Sequence, residues 1–272
     1  MGPLAKRILV ALIAMPLLLA VTFYPQALAF KILVGVALLL VLHEWFQMSP
    51  DKKAKAVPWA SYVCLLVILA PAFDPSLLFF KDRESVVFAL FALSLTFLFS
   101  PRPPQDMLRS VGLIFFATLY FGFLGGYFML LRDLPRGSWL LLFVYVATWA
   151  YDTGGYFAGR FLGNHKMTPQ VSPKKTWEGA FGGLSLCGVS LWGLWALFPV
   201  YQEIFGWKDL LILSVLMSLF GQLGDLVESM IKRSLSAKDS GSFFPGHGGI
   251  FDRIDSLLFT APVLFYYLTL RP

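Results

Sequence analysis

Apolar runs of roughly twenty residues, separated by prolines and short polar turns, recur along almost the whole chain and constrain it more than any other feature. Such a run is the length a helix needs to cross a bilayer, where each backbone N–H and C=O must be satisfied within the segment itself. Nine segments are read, centred on Ile8–Tyr24, Ile32–Met48, Val57–Phe73, Ser85–Phe99, Val111–Leu131, Trp139–Gly159, Gly179–Pro199, Leu210–Ser229 and Ile254–Leu270. Pro71, Asp74 and Pro75 blur the boundary between the third and the fourth. Composition agrees: 14% of residues are charged, against about 25% in a soluble domain. The expectation is an all-α, polytopic integral membrane protein of about nine transmembrane helices, in one membrane-embedded domain over residues 1–272. Within it, residues 1–136 are expected to act as scaffold and to offer oligomer contacts, and residues 137–272 to supply catalytic helices and loops.

The first thirty residues imitate a secretory signal, with a basic start and an Ala27-Leu28-Ala29 triplet, and are read as a retained first helix. Cys64 and Cys187 lie inside apolar runs and read as small packing residues, not as a disulfide or metal pair. Orientation follows from lysine and arginine, which favour cytoplasmic loops. With nine spans, fifteen of the 22 fall on the side holding the N-terminus. The N-terminus is therefore expected inside and the C-terminus outside, with the loops Arg160–Glu178 and Lys232–Arg253 facing the cytoplasm. The net charge of +6 is accounted for by this bias and by attraction to anionic lipid. It makes no case for nucleic acid.

The polar residues of the second half carry the chemistry. In the eighth span Gly221, Gly224, Asp225, Glu228, Ser229 and Lys232 recur at three- and four-residue spacing, one stripe of a helix. A charge within the bilayer costs at least about 3 kcal/mol, so such residues usually face protein or water and mark a site. The bland alternative is an ion-paired helix contact with Lys232 or Arg233. The ninth span opens with Asp252, Arg253, Asp255 and Ser256, the aspartates again sharing a face. One of them is explained by capping a helix N-terminus; two facing a second acidic stripe are not. Clustered carboxylates repel unless protonated or bridged, and an oxygen-only set suits Mg²⁺. Asp225, Asp252 and Asp255 are the expected ligands.

Between these spans runs KRSLSAKDSGSFFPGHGGIFDR, whose glycines admit an anion close to the backbone and whose lysines and arginines supply charge. Gly248 and Gly249 precede a helix start, where free amides favour phosphate. His247 is read as a phosphate hydrogen-bonding or turn-capping residue. A second concentration follows the sixth span: Asp152, then Arg160 and Lys166, then Ser172-Pro173-Lys174-Lys175-Thr176 before Glu178. Small hydroxyls and paired lysines at a helix start make a polyphosphate clamp, although a basic loop beside a membrane is often topology alone. Glu44 beside His43 reads as a structural hydrogen bond. Carboxylate-bound metal beside phosphate-friendly basic loops points to phospho-transfer on a lipid. A transporter with an intramembrane ion site is the alternative, opposed by the lack of paired repeats and the gathering of polar groups near one surface.

The stretch Ser229–Asp255, SMIKRSLSAKDSGSFFPGHGGIFDRID, resembles the phosphatidate cytidylyltransferase (CDP-diacylglycerol synthase) family, whose pattern runs S-x-apolar-K-R, later K-D, then apolar-Pro-x-H-G-G-apolar-x-D-R-apolar-D. The segment from Asp152 through VSPKKTWEG is similar to a second common region of that family, while the first five spans match in hydrophobic character alone. The resemblance implies that CTP and phosphatidic acid give CDP-diacylglycerol and pyrophosphate with Mg²⁺, a second cation being allowed. It implies that Lys232, Arg233, Lys238 and Arg253 hold phosphates, that Asp239 orients a lysine or the metal shell, and that Lys174 and Lys175 grip the triphosphate or the lipid phosphate. Ser172, Asp152, His247, Gly248 and Gly249 complete the expected substrate site. It further implies a homodimer in a bacterial cytoplasmic (inner) membrane, in contact with membrane lipids. Enzymes that move a phospho-alcohol from a CDP-lipid carry D-G-x-x-A-R, which this chain lacks.

Overall fold

The structure, a computed structural model, describes residues 3–48, 58–74, 82–98, 104–241, 243 and 248–271. The elements in chain order are α1 (Pro3–Phe23), α2 (Ala27–Met48), α3 (Pro58–Phe73), α4 (Asp82–Leu98), α5 (Pro104–Asp133), α6 (Gly137–Phe161), β1 (Lys166–Thr168), β2 (Ser172–Thr176), α7 (Trp177–Leu197), α8 (Pro199–Ile204), α9 (Trp207–Ser234) and α10 (Phe251–Leu270). Helices dominate, as expected, and the two short strands are an addition to the all-α expectation. Among the described residues four helices are long and apolar enough to cross a membrane: Ala27–Met48, Val111–Asp133, Trp177–Leu197 and Trp207–Ser234. Shorter apolar helices run over Leu12–Phe23, Trp59–Phe73 and Val86–Leu95.

The chain folds as two compact units, Met1–Leu130 with Leu235–Asp252, and Leu131–Ser234 with Arg253–Pro272. The first unit is an aromatic and aliphatic core of α2 to α5. Leu38, Val41, Leu42, Leu65, Leu69 and Leu93 are all essentially buried. The Phe121 ring meets Trp45 edge-on at 5.8 Å and Phe251, the first residue of α10, at 5.1 Å, a geometry that aromatic quadrupoles favour. Lys31, a buried cation in an apolar helix, donates from Nζ to the carbonyl of Phe73 at 3.1 Å. That carbonyl ends α3 and has no intrahelical donor, so the lysine completes the helix C-terminus.

In the second unit α6 and α7 pack with their backbones nearly in contact. A Cβ placed on Gly154 would lie 2.5 Å from the carbonyl oxygen of Gly182, and one on Gly179 would lie 3.0 Å from that of Gly155. A Cβ on Gly182 would overlap Ala158. Small residues at these crossing points let dispersion replace the hydrophobic drive that is missing in lipid. Between the two helices β1 and β2 form an antiparallel hairpin, with Lys166 opposite Thr176 and Thr168 opposite Ser172. The hairpin is pinned to α7 at its first turn: Thr176 Oγ1 accepts from the Gly179 amide at 3.1 Å as N-cap, and Glu178 accepts from the His165 amide, with His165 Nδ1 2.6 Å from its Oε1.

Candidate active site

A cavity of about 590 Å³ opens in the second unit, walled by α6, the hairpin, the start of α7 and α9. Its cations are Arg160 from the last turn of α6, Lys166 from β1, and Lys174 and Lys175 from β2. Facing them are Asp152, Asp225 and Ser172, with Tyr151 and Gln222 hydrogen-bonded to each other in the wall. Hairpin and helix crossing thus converge: glycines at Gly155, Gly159 and Gly179 bring the backbones of α6 and α7 close enough for β2 to hang its lysines over the end of α6. Of the sequence-predicted residues, Asp152, Ser172, Lys174, Lys175 and Asp225 share this cavity.

Beside it, Asp225, Glu228 and Asp255 place carboxylate oxygens within 4.8 Å of one another. Gly224 permits this, since a Cβ there would lie 2.6 Å from the Asp255 carbonyl and 3.0 Å from Ser256 Cα, so α10 runs against α9 at that turn. Thr148 on α6 and Thr260 on α10 add a buried hydroxyl pair at 3.1 Å. Two ammonium groups attend the carboxylates: Lys175 Nζ lies 2.6 Å from Asp225 Oδ2, and Lys232 Nζ lies 2.7 Å from Glu228 Oε1. Oxygens bound to one Mg²⁺ at about 2.1 Å lie no more than about 4.2 Å apart, so a small contraction of this group fits the ion. The donor set is oxygen-only, which is what a hard divalent cation selects.

Glu228 is the member of this cluster that the expected ligand set omits. It lies on the acidic stripe of the eighth span, three residues from Asp225, where an ion pair with Lys232 or Arg233 is the alternative reading. The ion pair with Lys232 is formed, and the carboxylate also stands within the group that could hold a cation.

The loop of the first unit holds Asp252 and its glycines against protein partners. The Asp252 Oδ2 atom, expected at a metal, accepts from the Ser240 amide at 3.0 Å, the Ser240 hydroxyl at 2.9 Å and the Gly249 amide at 2.7 Å. Two amides at the helix start have a carboxylate as acceptor. Those of Ile250 and Phe251 donate to the two carboxylate oxygens of Glu44 at 2.8 and 3.0 Å. Glu44 does not pair with His43, whose Nδ1 lies 3.0 Å from the Tyr62 hydroxyl. Gly248 adopts φ +80°, and a Cβ on it would overlap Asp252, while one on Gly249 would overlap Glu44 and Ser240. These glycines make room for protein carboxylates. Lys238 and Asp239 are exposed on this loop, Arg233 is exposed at the end of α9 and Arg253 is exposed on α10. His247 lies outside the described residues.

Comparison with known proteins agrees with the signature. The family model described as the cytidylyltransferase family matches residues 5–271. A phosphatidate cytidylyltransferase of Bacillus subtilis (strain 168) is 36% identical over 231 residues, covering 83% of this chain and 84% of its own. One of Staphylococcus aureus (strain COL) is 33% identical over 261 residues, 95% and 96% of the two chains. One of Staphylococcus epidermidis is 43% identical over 145 residues, 51% and 52% of the two. With its match running from residue 5 to residue 271, this chain belongs to the cytidylyltransferase family.

Proposed function

We propose that the chain transfers the cytidylyl group of CTP to phosphatidic acid, releasing pyrophosphate and leaving CDP-diacylglycerol in the membrane. The observation that supports it best is the cavity in which Arg160, Lys166, Lys174 and Lys175 gather beside the Asp225–Glu228–Asp255 cluster, in a chain whose relatives bear the name phosphatidate cytidylyltransferase. An oxygen of the lipid phosphate attacks the α-phosphorus of CTP. The bond from that phosphorus to the bridging oxygen breaks, and pyrophosphate leaves with the electron pair. A phosphomonoester is largely dianionic near neutral pH, its second pKa being about 6, so no strong protein base is required. Catalysis is then positioning and charge neutralisation.

In this scheme Lys174, Lys175, Lys166 and Arg160 hold the phosphates, with Ser172 as a hydroxyl donor and Asp152 orienting the cations around it. Asp225, Glu228 and Asp255 would hold Mg²⁺, which supplies charge stabilisation to phosphoryl oxygens when bound. Arg233, Arg253, Lys238 and Asp239 are assigned to substrate on the signature alone. The membrane is proposed to be a bacterial cytoplasmic one, crossed by the nine segments, with the N-terminus and the cavity on the cytoplasmic side and two copies per assembly.

The test is direct. Purified protein is incubated with phosphatidic acid in mixed micelles, Mg²⁺ and CTP labelled at the α-phosphate. Label in the lipid phase with equimolar pyrophosphate is expected, and chelation with EDTA should abolish both. Neither product, together with ion-coupled uptake in vesicles, would replace this reaction with transport.

A further inference from the structure

The buried carboxylate of Glu44 has no place in the chemistry above, yet it is committed to the signature loop. It lies in the apolar helix α2, 7% exposed, and its partners are 196 to 207 residues away in sequence. One oxygen accepts from the Ile250 amide; the other accepts from the Phe251 amide and from the Ser240 hydroxyl at 3.0 Å. The same Ser240 oxygen lies 2.9 Å from Asp252 Oδ2, so the one hydroxyl hydrogen is shared between two carboxylates. Three glycines fit the loop around this group. A Cβ on Gly241 would lie 2.8 Å from Glu44 Oε1, and Gly248 and Gly249 have no room for one at all.

We propose that Glu44 is a positioning residue for the reaction, acting through Ser240 and Asp252 to fix residues 239–241, residues 248–250 and the first turn of α10. A carboxylate is suited to this because both oxygens accept and its charge complements the helix N-terminus. Glycine at 248 and 249 then has a reason in this chain: any side chain would push the clamp open. The inference rests on the reaction proposed above for its catalytic meaning, but the clamp itself is readable without turnover.

The experiment uses the full-length protein in detergent with Glu44→Gln, which keeps the length but turns one acceptor into a donor facing a backbone N–H, and with Ser240→Ala, which removes the bridge and leaves the backbone bonds. Hydrogen exchange followed by mass spectrometry on unreacted protein should show the peptide containing Ile250 and Phe251 exchanging about tenfold faster or more in Glu44→Gln, with the α6 and α7 peptides unchanged. In the CTP assay kcat should fall about 10- to 100-fold, the range expected when the partner of a site residue is lost, while KM for CTP stays within about twofold; Ser240→Ala should show the same pattern more weakly. Unchanged exchange, or unchanged kcat in folded variants, would overturn the proposal, as would a kcat loss that merely tracks the folded fraction. Absence of turnover in the unsubstituted chain would instead overturn the assigned reaction, and is told apart because the exchange contrast persists.

Discussion

A carboxylate buried as deeply as that of Glu228, 2% exposed, is tolerable because the Lys232 ammonium one helical turn on lies against it. Breaking a buried pair leaves the other charge uncompensated and typically costs about 3 kcal/mol or more. Glu228→Gln should therefore lower the thermal unfolding midpoint in detergent, and adding Lys232→Met should restore most of it. Metal demand separates the two roles of this side chain. If Glu228 is also a ligand, the Mg²⁺ concentration for half-maximal activity rises about tenfold in the single variant and stays high in the double one; a double variant with ordinary metal dependence would leave Glu228 an ion-pair residue and nothing more. Lys175 is different because its ammonium, 2.6 Å from Asp225, is only partly buried and lines the cavity. Lys175→Ala should raise KM for CTP or for phosphatidic acid about tenfold, as expected for loss of a charge-assisted hydrogen bond, with little effect on folding.

The α6–α7 crossing is the element on which the cavity depends, and its energetics are those of backbone approach. Gly154→Ala places a methyl group 2.5 Å from a carbonyl oxygen that cannot rotate away, an overpacking that costs about 1–3 kcal/mol. Activity should fall further than stability, since the helices that separate also carry Asp152 and the hairpin. Gly193→Ala on α7, where a Cβ would meet nothing within 4 Å, is the matched control and should be neutral or slightly stabilising. This crossing was legible in principle: Gly155 and Gly159, and Gly179 and Gly183, have the four-residue spacing of close helix contacts. The hairpin was not, because Pro173 interrupts a strand with no alternation of apolar and polar residues, and a tertiary tie from His165 to Glu178 holds it. Glu44 was hidden for a related reason: its partners are nearly 200 residues away, and no local period announces them. The acidic stripe on α9 was visible because it is local, repeating every three or four residues on one helix.

At the scale of the whole chain, the surface of individual helices argues for lipid as solvent. Only 17% of the apolar window of α7 is buried, and Val189 and Leu197 on it are 68% and 76% exposed, an arrangement that water would penalise and hydrocarbon would not. The proposed cytoplasmic opening of the cavity rests on charge, because cytoplasmic loops are enriched in lysine and arginine and four such residues line the cavity. Gln170 offers the test. It lies exposed in the turn between β1 and β2, while both native cysteines, Cys64 and Cys187, are 0% exposed, so a single Gln170→Cys substitution supplies the reactive thiol. A membrane-impermeant maleimide should label it in inside-out vesicles and leave it unmodified in intact spheroplasts until the membrane is permeabilised. CTP is made and kept in the cytoplasm, so labelling from outside alone would invert the orientation and deprive the hairpin lysines of their nucleotide. Protection of the same thiol by CTP with Mg²⁺ would tie the topology to the site, since the turn sits at the tip of the strand pair that presents Lys174 and Lys175 to the cavity.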